Sequence, residues 1–184
     1  IIENMNTEDF LFVSGSHPEG ITYTTYEKIA KTAQLRGFKL ILDTSADFVP
    51  DLLKYRPYLI KPNDEELAEW FGLINPSLEE IKDCGQKLLE KGAENVLVSL
   101  GEKGAILFTP TETIHVTAPK GEVVNTACAG DTLLATFVGS QLLGLSDEQA
   151  LIKAVAAGSS TAFRPGLTDF SDVPTLMQQI KRIS

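Results

Sequence analysis

The chain has 184 residues, 43% of them hydrophobic and 22% charged, which suits one sizeable core in one domain or a large part of one. A formal charge of −9 argues against a nucleic-acid partner, which would need clustered Lys and Arg, and no apolar run is long enough to span a bilayer. Cys84 and Cys128 lack metal-ligand spacing and no signal peptide is apparent, so a reducing cytoplasm is the expected compartment.

In chain order, short β-rich runs alternate with helical periods, which predicts a layered α/β sheet with crossover helices. The first strand is expected at Phe10–Val13. It leads into Ser14-Gly15-Ser16-His17-Pro18-Glu19-Gly20, a run of hydroxyls and glycines in which His17 reads as a surface loop residue or as a catalytic one. A helix over Thr24–Arg36 stops at Gly37, and strands follow at Lys39–Leu42 and Tyr58–Ile60. Next comes Lys61-Pro62-Asn63-Asp64-Glu65-Glu66, where Asn63 and Glu66 have the spacing of a capping box. The same pair also reads as part of the shell of a Mg²⁺ ion, held through waters, with Lys61 near phosphate. Trp70 and Phe71 read as core or rim aromatics at the end of that helix. Ser77-Leu78-Glu79-Glu80 opens another helix, ending near Gly92 and carrying a buried Cys84.

Strands at Val96–Leu100 and Ala105–Phe108, joined through Gly101-Glu102-Lys103-Gly104, read as a hairpin that gives a mostly parallel sheet an antiparallel edge. The glycine turn serves hairpin geometry or forms a backbone wall for a nucleotide. Further strands are expected at Thr113–Val116, with His115 structural, and at Glu122–Val124. Ser146-Asp147-Glu148-Gln149 repeats the capping device. The helix it opens leads to Gly158-Ser159-Ser160 and on to Arg164-Pro165-Gly166-Leu167-Thr168. These residues are small enough to pack against another helix, or to let a flat base lie on backbone. Ligands in open α/β sheets gather beyond the carboxyl ends of the strands, so the segments after the strands are where chemistry is expected.

The most informative stretch runs from Val123-Val124-Asn125-Thr126 through Ala127-Cys128-Ala129-Gly130 to Asp131-Thr132-Leu133-Leu134. It reads as a strand end, a turn of small residues and a helix beginning at an acid. Small side chains let backbone N–H groups approach a ligand, and the unpaired amides of a first helical turn favour an anion such as phosphate. Asp131 is the odd member. A carboxylate beside phosphate is repulsive unless it accepts a proton from an attacking hydroxyl or works next to a metal ion, and both roles point to phosphoryl transfer. The alternative is that Asp131 merely complements the helix dipole.

Together these segments resemble, in order, the C-terminal part of a PfkB-type carbohydrate kinase of the ribokinase-like superfamily. The hallmark Asp/Asn-x-x-Gly-Ala-Gly-Asp appears as Asn125-Thr126-Ala127-Cys128-Ala129-Gly130-Asp131, and Asn-x-x-Glu as Asn63-Asp64-Glu65-Glu66. The nucleotide turn appears as Ser99-Leu100-Gly101-x-x-Gly104. Val13-Ser14-Gly15-Ser16-x-Pro18-x-Gly20 resembles the hexose-phosphate branch, comprising 1-phosphofructokinase and tagatose-6-phosphate kinase. The resemblance extends from Phe10 to about Ile180. It implies a three-layer αβα sandwich and transfer of the ATP γ-phosphoryl group to a hydroxyl of a phosphorylated ketohexose, with Mg²⁺ bridging phosphates. By the same resemblance Asp131 is the catalytic base, and the amides of Ala129, Gly130 and Asp131 form the anion hole. Lys61, Asn63 and Glu66 fall in the phosphate and metal region, with no side chain assigned as a direct metal ligand. Ser99, Gly101 and Gly104 fall at the nucleotide, and Gly158 and Gly166 near the adenine.

Two departures qualify the resemblance. Cys128 replaces the first glycine of the triplet, where a β-carbon either narrows the anion hole or forbids a positive φ. His17 replaces an apolar residue. The chain opens with Ile1-Ile2, and family members are longer, with a β-stranded lid and most sugar-binding residues in their N-terminal part. The expectation is therefore that residues 1–184 are the nucleotide-binding portion of a single ribokinase-like domain, inactive alone and prone to associate with itself, as a homo-oligomer or aggregate, through an uncovered sheet face. A non-catalytic relative that binds a nucleotide or a partner is the alternative. A dinucleotide-dependent oxidoreductase is disfavoured, because no Gly-x-Gly-x-x-Gly follows the first strand.

Overall fold

The computed structural model describes residues 2–15 and 20–183, so the expectations for Ser16, His17, Pro18 and Glu19 lie outside the described residues. Its elements are β1 (Phe10–Ser14), α1 (Tyr23–Arg36), β2 (Lys39–Asp43), α2 (Val49–Leu52), β3 (Leu59–Ile60), α3 (Asp64–Phe71), α4 (Leu78–Glu90) and β4 (Val96–Ser99). They continue with β5 (Ala105–Phe108), β6 (Thr113–Val116), α5 (Ala129–Leu142), α6 (Asp147–Ala162), α7 (Val173–Met177) and β7 (Arg182–Ile183). The strands of the described residues pair in chain order. Pairings β1–β2, β2–β3 and β3–β4 are parallel, and β6–β7 is antiparallel, so the expected α/β sheet with an antiparallel edge is present.

Contacts divide the chain into two compact units, Ile1–Val98 with Phe108–Glu112, and Ser99–Leu107 with Thr113–Ser184. In the first unit, Leu40, Ile41, Leu59, Ile60, Leu67, Leu88 and Leu97 are fully buried. The near-continuous apolar runs of β2 to β4 are what a parallel sheet covered by helices requires. Both capping boxes expected here form. In α3, Asn63 Oδ1 accepts from the Glu66 N–H at 2.7 Å while Glu66 Oε2 accepts from the Asn63 N–H at 2.9 Å. Ser77 and Glu80 do the same at the start of α4, and these bonds hold the Glu80 carboxyl below its ordinary pKa. Glu27 of α1 accepts from the Tyr23 and Tyr55 hydroxyls and from Lys54, tying α1 to the turn before β3.

In the second unit, α6 begins at the predicted Ser146–Gln149 capping box and is apolar over most of its surface, as a helix packed on several sides should be. Between β4 and β5 the chain makes a single 3₁₀ turn at Gly101–Lys103, and the Leu100 N–H donates to Gly104 O at 2.8 Å. Gly104 lies at φ 99° and ψ −134°, where a side chain is strained, and a Cβ there would collide with the backbone carbonyl of Val116. Gly104→Ala should therefore destabilise the protein by about 3 kcal/mol, combining overpacking with backbone strain. A urea titration checks this; a loss within about 0.5 kcal/mol, the range of an ordinary surface substitution, would contradict the contact.

One predicted strand is absent. Residues 122–124 are irregular and exposed, because the N–H groups of Val124 and Asn125 donate to the Ala162 carbonyl at the end of α6, at 2.8 and 3.1 Å, instead of joining a ladder. The antiparallel edge is completed by β7, which pairs His115 with Ile183 and Val116 with Arg182. No helix among the described residues is long and apolar enough to cross a membrane.

Candidate active site

In the first unit, the candidate residues lie just past the carboxyl ends of the strands. Parallel register aligns Ser14 of β1 with Asp43 of β2, and the Lys61 N–H continues the ladder after β3 by donating to Leu42 O at 3.0 Å. Pairing across the ladder brings Lys61 Nζ to within 3.0 Å of Asp43 Oδ1, with the side chains only 7% and 14% exposed. The Lys61 ammonium, expected near phosphate, is thus buried against a carboxylate that the sequence did not single out. Asp43 could have been noticed as the first acid after an apolar strand, the position where ligands gather.

Asn63 and Glu66 come together as the reciprocal cap of α3. The capping and the metal-binding readings of this motif are compatible: the box uses one oxygen of Glu66 and leaves Oε1 outside it. Among the described residues no group of three or more His, Cys, Asp or Glu is arranged to hold a metal ion. Mg²⁺ needs no such cage, because it keeps several waters and binds through one or two carboxylates plus phosphates. The hard oxygen donor of Glu66 fits that ion.

In the second unit, the segment before α5 is built from local hydrogen bonds. Asn125 Oδ1 accepts from the Ala127 N–H at 3.0 Å, and the Ala129 N–H donates to Thr126 O at 3.2 Å. Cys128 then takes the left-handed conformation, φ 62° and ψ 5°, and serves as N-cap, while the Thr132 N–H closes the first turn on Cys128 O at 2.9 Å. The helix consequently starts at Ala129, two residues before the predicted start at Asp131. The amides of Gly130 and Asp131, at the second and third helical positions, have no intrahelical acceptor, whereas that of Ala129 is engaged in the turn. Asp131 is exposed and Ala129 and Gly130 are half-buried.

The β-carbon of Cys128 therefore does not forbid the positive φ that the family's glycine would adopt; the residue carries the strain, and its thiol is exposed. Cys128→Gly should stabilise the protein by about 1 kcal/mol by removing that strain. Thermal denaturation checks the sign; an unchanged or lower midpoint would mean that the turn relaxes in solution.

Gly158 lies where α6 crosses the first turn of α5. A Cβ there would sit 3.0 Å from Ala129 O and 3.2 Å from Leu133 Cβ, so its smallness serves close helix packing directly behind the anion turn. Gly101, at φ 56°, and Gly104 form the turn after half-buried Ser99. Gly166 is exposed, and a Cβ added there would meet nothing within 4 Å. Its loop is anchored on both sides: Arg164 pairs with Asp169 at 2.7 Å and with Asp172 at 2.8 Å. Hydrogen bonds from Ser171, then from Arg164, hold the Asp169 carboxyl far below the usual range. At Asp172 burial acts in the opposite direction and is outweighed by hydrogen bonds from Ser160 and Arg164, so that its pKa is also lowered. Sequence reading missed the hydroxyls of Thr132 and Thr161, which link α5 to this loop through the Thr168 N–H.

Within the first unit the structure thus pairs Lys61 with Asp43 and Asn63 with Glu66, and within the second it sets Gly158 against Ala129 in the turn that leads to Asp131. The family model of the pfkB family carbohydrate kinases matches residues 2–175. The chain is 50% identical over 173 residues to a D-tagatose-1-phosphate kinase of Bacillus licheniformis, covering 94% of this chain and 57% of that protein. It is 36% identical over 179 residues to a 1-phosphofructokinase of Bacillus subtilis, covering 97% and 59%. Among solved structures, phosphofructokinase-2 of Escherichia coli in complex with substrates and products superposes with a TM-score of 0.88 at 25% identity, over 96% of this chain and 59% of that one. The chain therefore spans less than two thirds of the length of the relatives it matches. With the family model extending over nearly all of its residues, and with a parallel α/β sheet flanked by the capped helices described above, the chain belongs to the pfkB family of carbohydrate kinases and has a ribokinase-like fold.

Proposed function

We propose that the complete protein transfers the γ-phosphoryl group of ATP to a hydroxyl of a ketohexose 1-phosphate, with Asp131 as the general base. The observation that carries this reading is the exposed Asp131 carboxylate beside two amides, Gly130 and Asp131, that no helical carbonyl satisfies. The carboxylate accepts the proton of the attacking hydroxyl as the new O–P bond forms, and the bond to the departing ADP oxygen breaks. The amides face the charge on the transferred phosphoryl as preorganised donors, and in phosphoryl transfer such electrostatic stabilisation and positioning supply most of the rate. Ser99, Gly101 and Gly104 are assigned to the nucleotide, with Gly158 and Gly166 toward the adenine. Mg²⁺, when bound, offsets phosphate charge; Asn63 and Glu66 would hold it through its waters, with Lys61 close by and already neutralised by Asp43.

The sugar class follows the names of the two curated relatives, both of which place the substrate phosphate on carbon 1. That favours fructose 1-phosphate or tagatose 1-phosphate over the tagatose 6-phosphate suggested by sequence resemblance. The 184 residues alone are proposed to bind nucleotide without turnover, since the matched relatives are much longer. The test is ADP release by the complete protein with ATP, Mg²⁺ and each sugar phosphate in turn. Turnover with a 1-phosphate supports the reading. ATP binding without turnover on any of them would favour a non-catalytic relative.

A further inference from the structure

The last turn of α6 touches both the anion turn and the approach to it. Gly158 admits the Ala129 carbonyl, and the Ala162 carbonyl accepts the Val124 and Asn125 N–H groups that lead into that turn. Three residues after Gly158, on the same face of the helix, stands Thr161, whose side chain is 1% exposed. Its hydroxyl donates to Thr132 Oγ1 at 3.1 Å and accepts from the Thr168 N–H at 3.2 Å. The Thr168 hydroxyl in turn meets Ser160 Oγ at 2.7 Å and accepts from the Phe170 N–H at 2.9 Å, while Ser160 Oγ donates to Asp172 Oδ1 at 2.5 Å. A single buried hydroxyl thus joins the helical residue that follows Asp131 to the loop that holds Gly166.

We infer that Thr161 is a positioning residue for phosphoryl transfer: through Thr132 it holds the first turn of α5, and with it Asp131, in register with the nucleotide loop 164–172. This rests on the proposed role of Asp131 as base. A methyl in place of the hydroxyl removes at one buried point the donor to the half-buried Thr132 oxygen and the acceptor of the half-buried Thr168 N–H, so both hydrogen bonds are lost together. Packing alone does not demand a hydroxyl at this point, because the neighbouring face of α6 is filled by alanines and glycine.

The experiment is steady-state kinetics of the complete protein with ATP varied at saturating sugar phosphate. Thr161→Val should lower kcat by about tenfold and raise KM for ATP several-fold, and Thr161→Ser, which keeps the hydroxyl, should stay within about threefold of wild type. Thr132→Val cuts only the link to α5, so it should lower kcat while leaving KM for ATP near wild type. The double variant should be no worse than Thr161→Val alone. Wild-type kcat and KM in Thr161→Val despite a lower melting temperature would overturn the inference, as would equal impairment by valine and serine. If Thr161→Val does not fold, Thr132→Val decides, and wild-type kcat there overturns it. A wild-type protein that turns over no sugar phosphate would instead overturn the function itself, and this role with it.

Discussion

Asp131→Asn in the complete protein is expected to lower kcat by roughly two to four orders of magnitude, the range for removing a general base, with KM for ATP almost unchanged. The substitution keeps the shape of the side chain and removes its capacity to take a proton. It leaves the Gly130 and Asp131 amides in place, because they belong to the first turn of α5 and are set by the Thr132 N–H bond to Cys128 O at 2.9 Å. Stability should change little. Asp131 is exposed, and a negative charge in a first helical turn is worth about 0.3–1 kcal/mol. The kinetic loss therefore reports chemistry rather than unfolding, and equal melting curves for the two proteins are the control. Wild-type kcat in the asparagine variant would remove Asp131 from the mechanism and leave it the role of a dipole partner.

Lys61→Ala is expected to have the largest effect on stability, about 3–5 kcal/mol, measured by urea titration. The reason is asymmetry. The pair Lys61–Asp43 lies at 3.0 Å with both side chains nearly buried, so removing the ammonium deletes the cation that offsets the Asp43 charge in a poorly solvated place. Replacing both charges, as Lys61→Met with Asp43→Asn, should recover a large part of the loss, since the two charges are then removed together. A loss below about 1 kcal/mol would be the value of an exposed ion pair and would mean that the contact is open to water in solution.

Neither effect could be weighed from sequence alone. The turn that carries Asp131 was legible because its signal is contiguous: small residues, an acid and an apolar helix within a single stretch. Lys61 was legible only as a residue type in the right place, because its partner lies in another strand and only parallel register brings the two together. Cys128 shows the opposite case. Its sequence signal, a β-carbon where glycine is usual, overstates the obstacle, since a left-handed residue costs only about 1–2 kcal/mol and the surrounding turn holds it there.

The sequence by itself determined what depends on neighbours three or four residues apart or on strict alternation of apolar runs. The boxes at Asn63–Glu66, Ser77–Glu80 and Ser146–Gln149, the stop at Gly37, the apolar strands β1 to β6 and the small-residue turn before α5 all belong here. Tertiary structure decided what depends on residues far apart in the chain. The Ala162 carbonyl captured the backbone of Val124 and Asn125 and abolished a predicted strand, and β7 took the edge beside β6. Gly104 proved necessary because of the Val116 backbone, and Thr161 became the link between α5 and the loop after α6. Backbone hydrogen bonds and close contacts of this kind carry no local signature, because any residue can offer a carbonyl and only the packed chain settles which N–H reaches it.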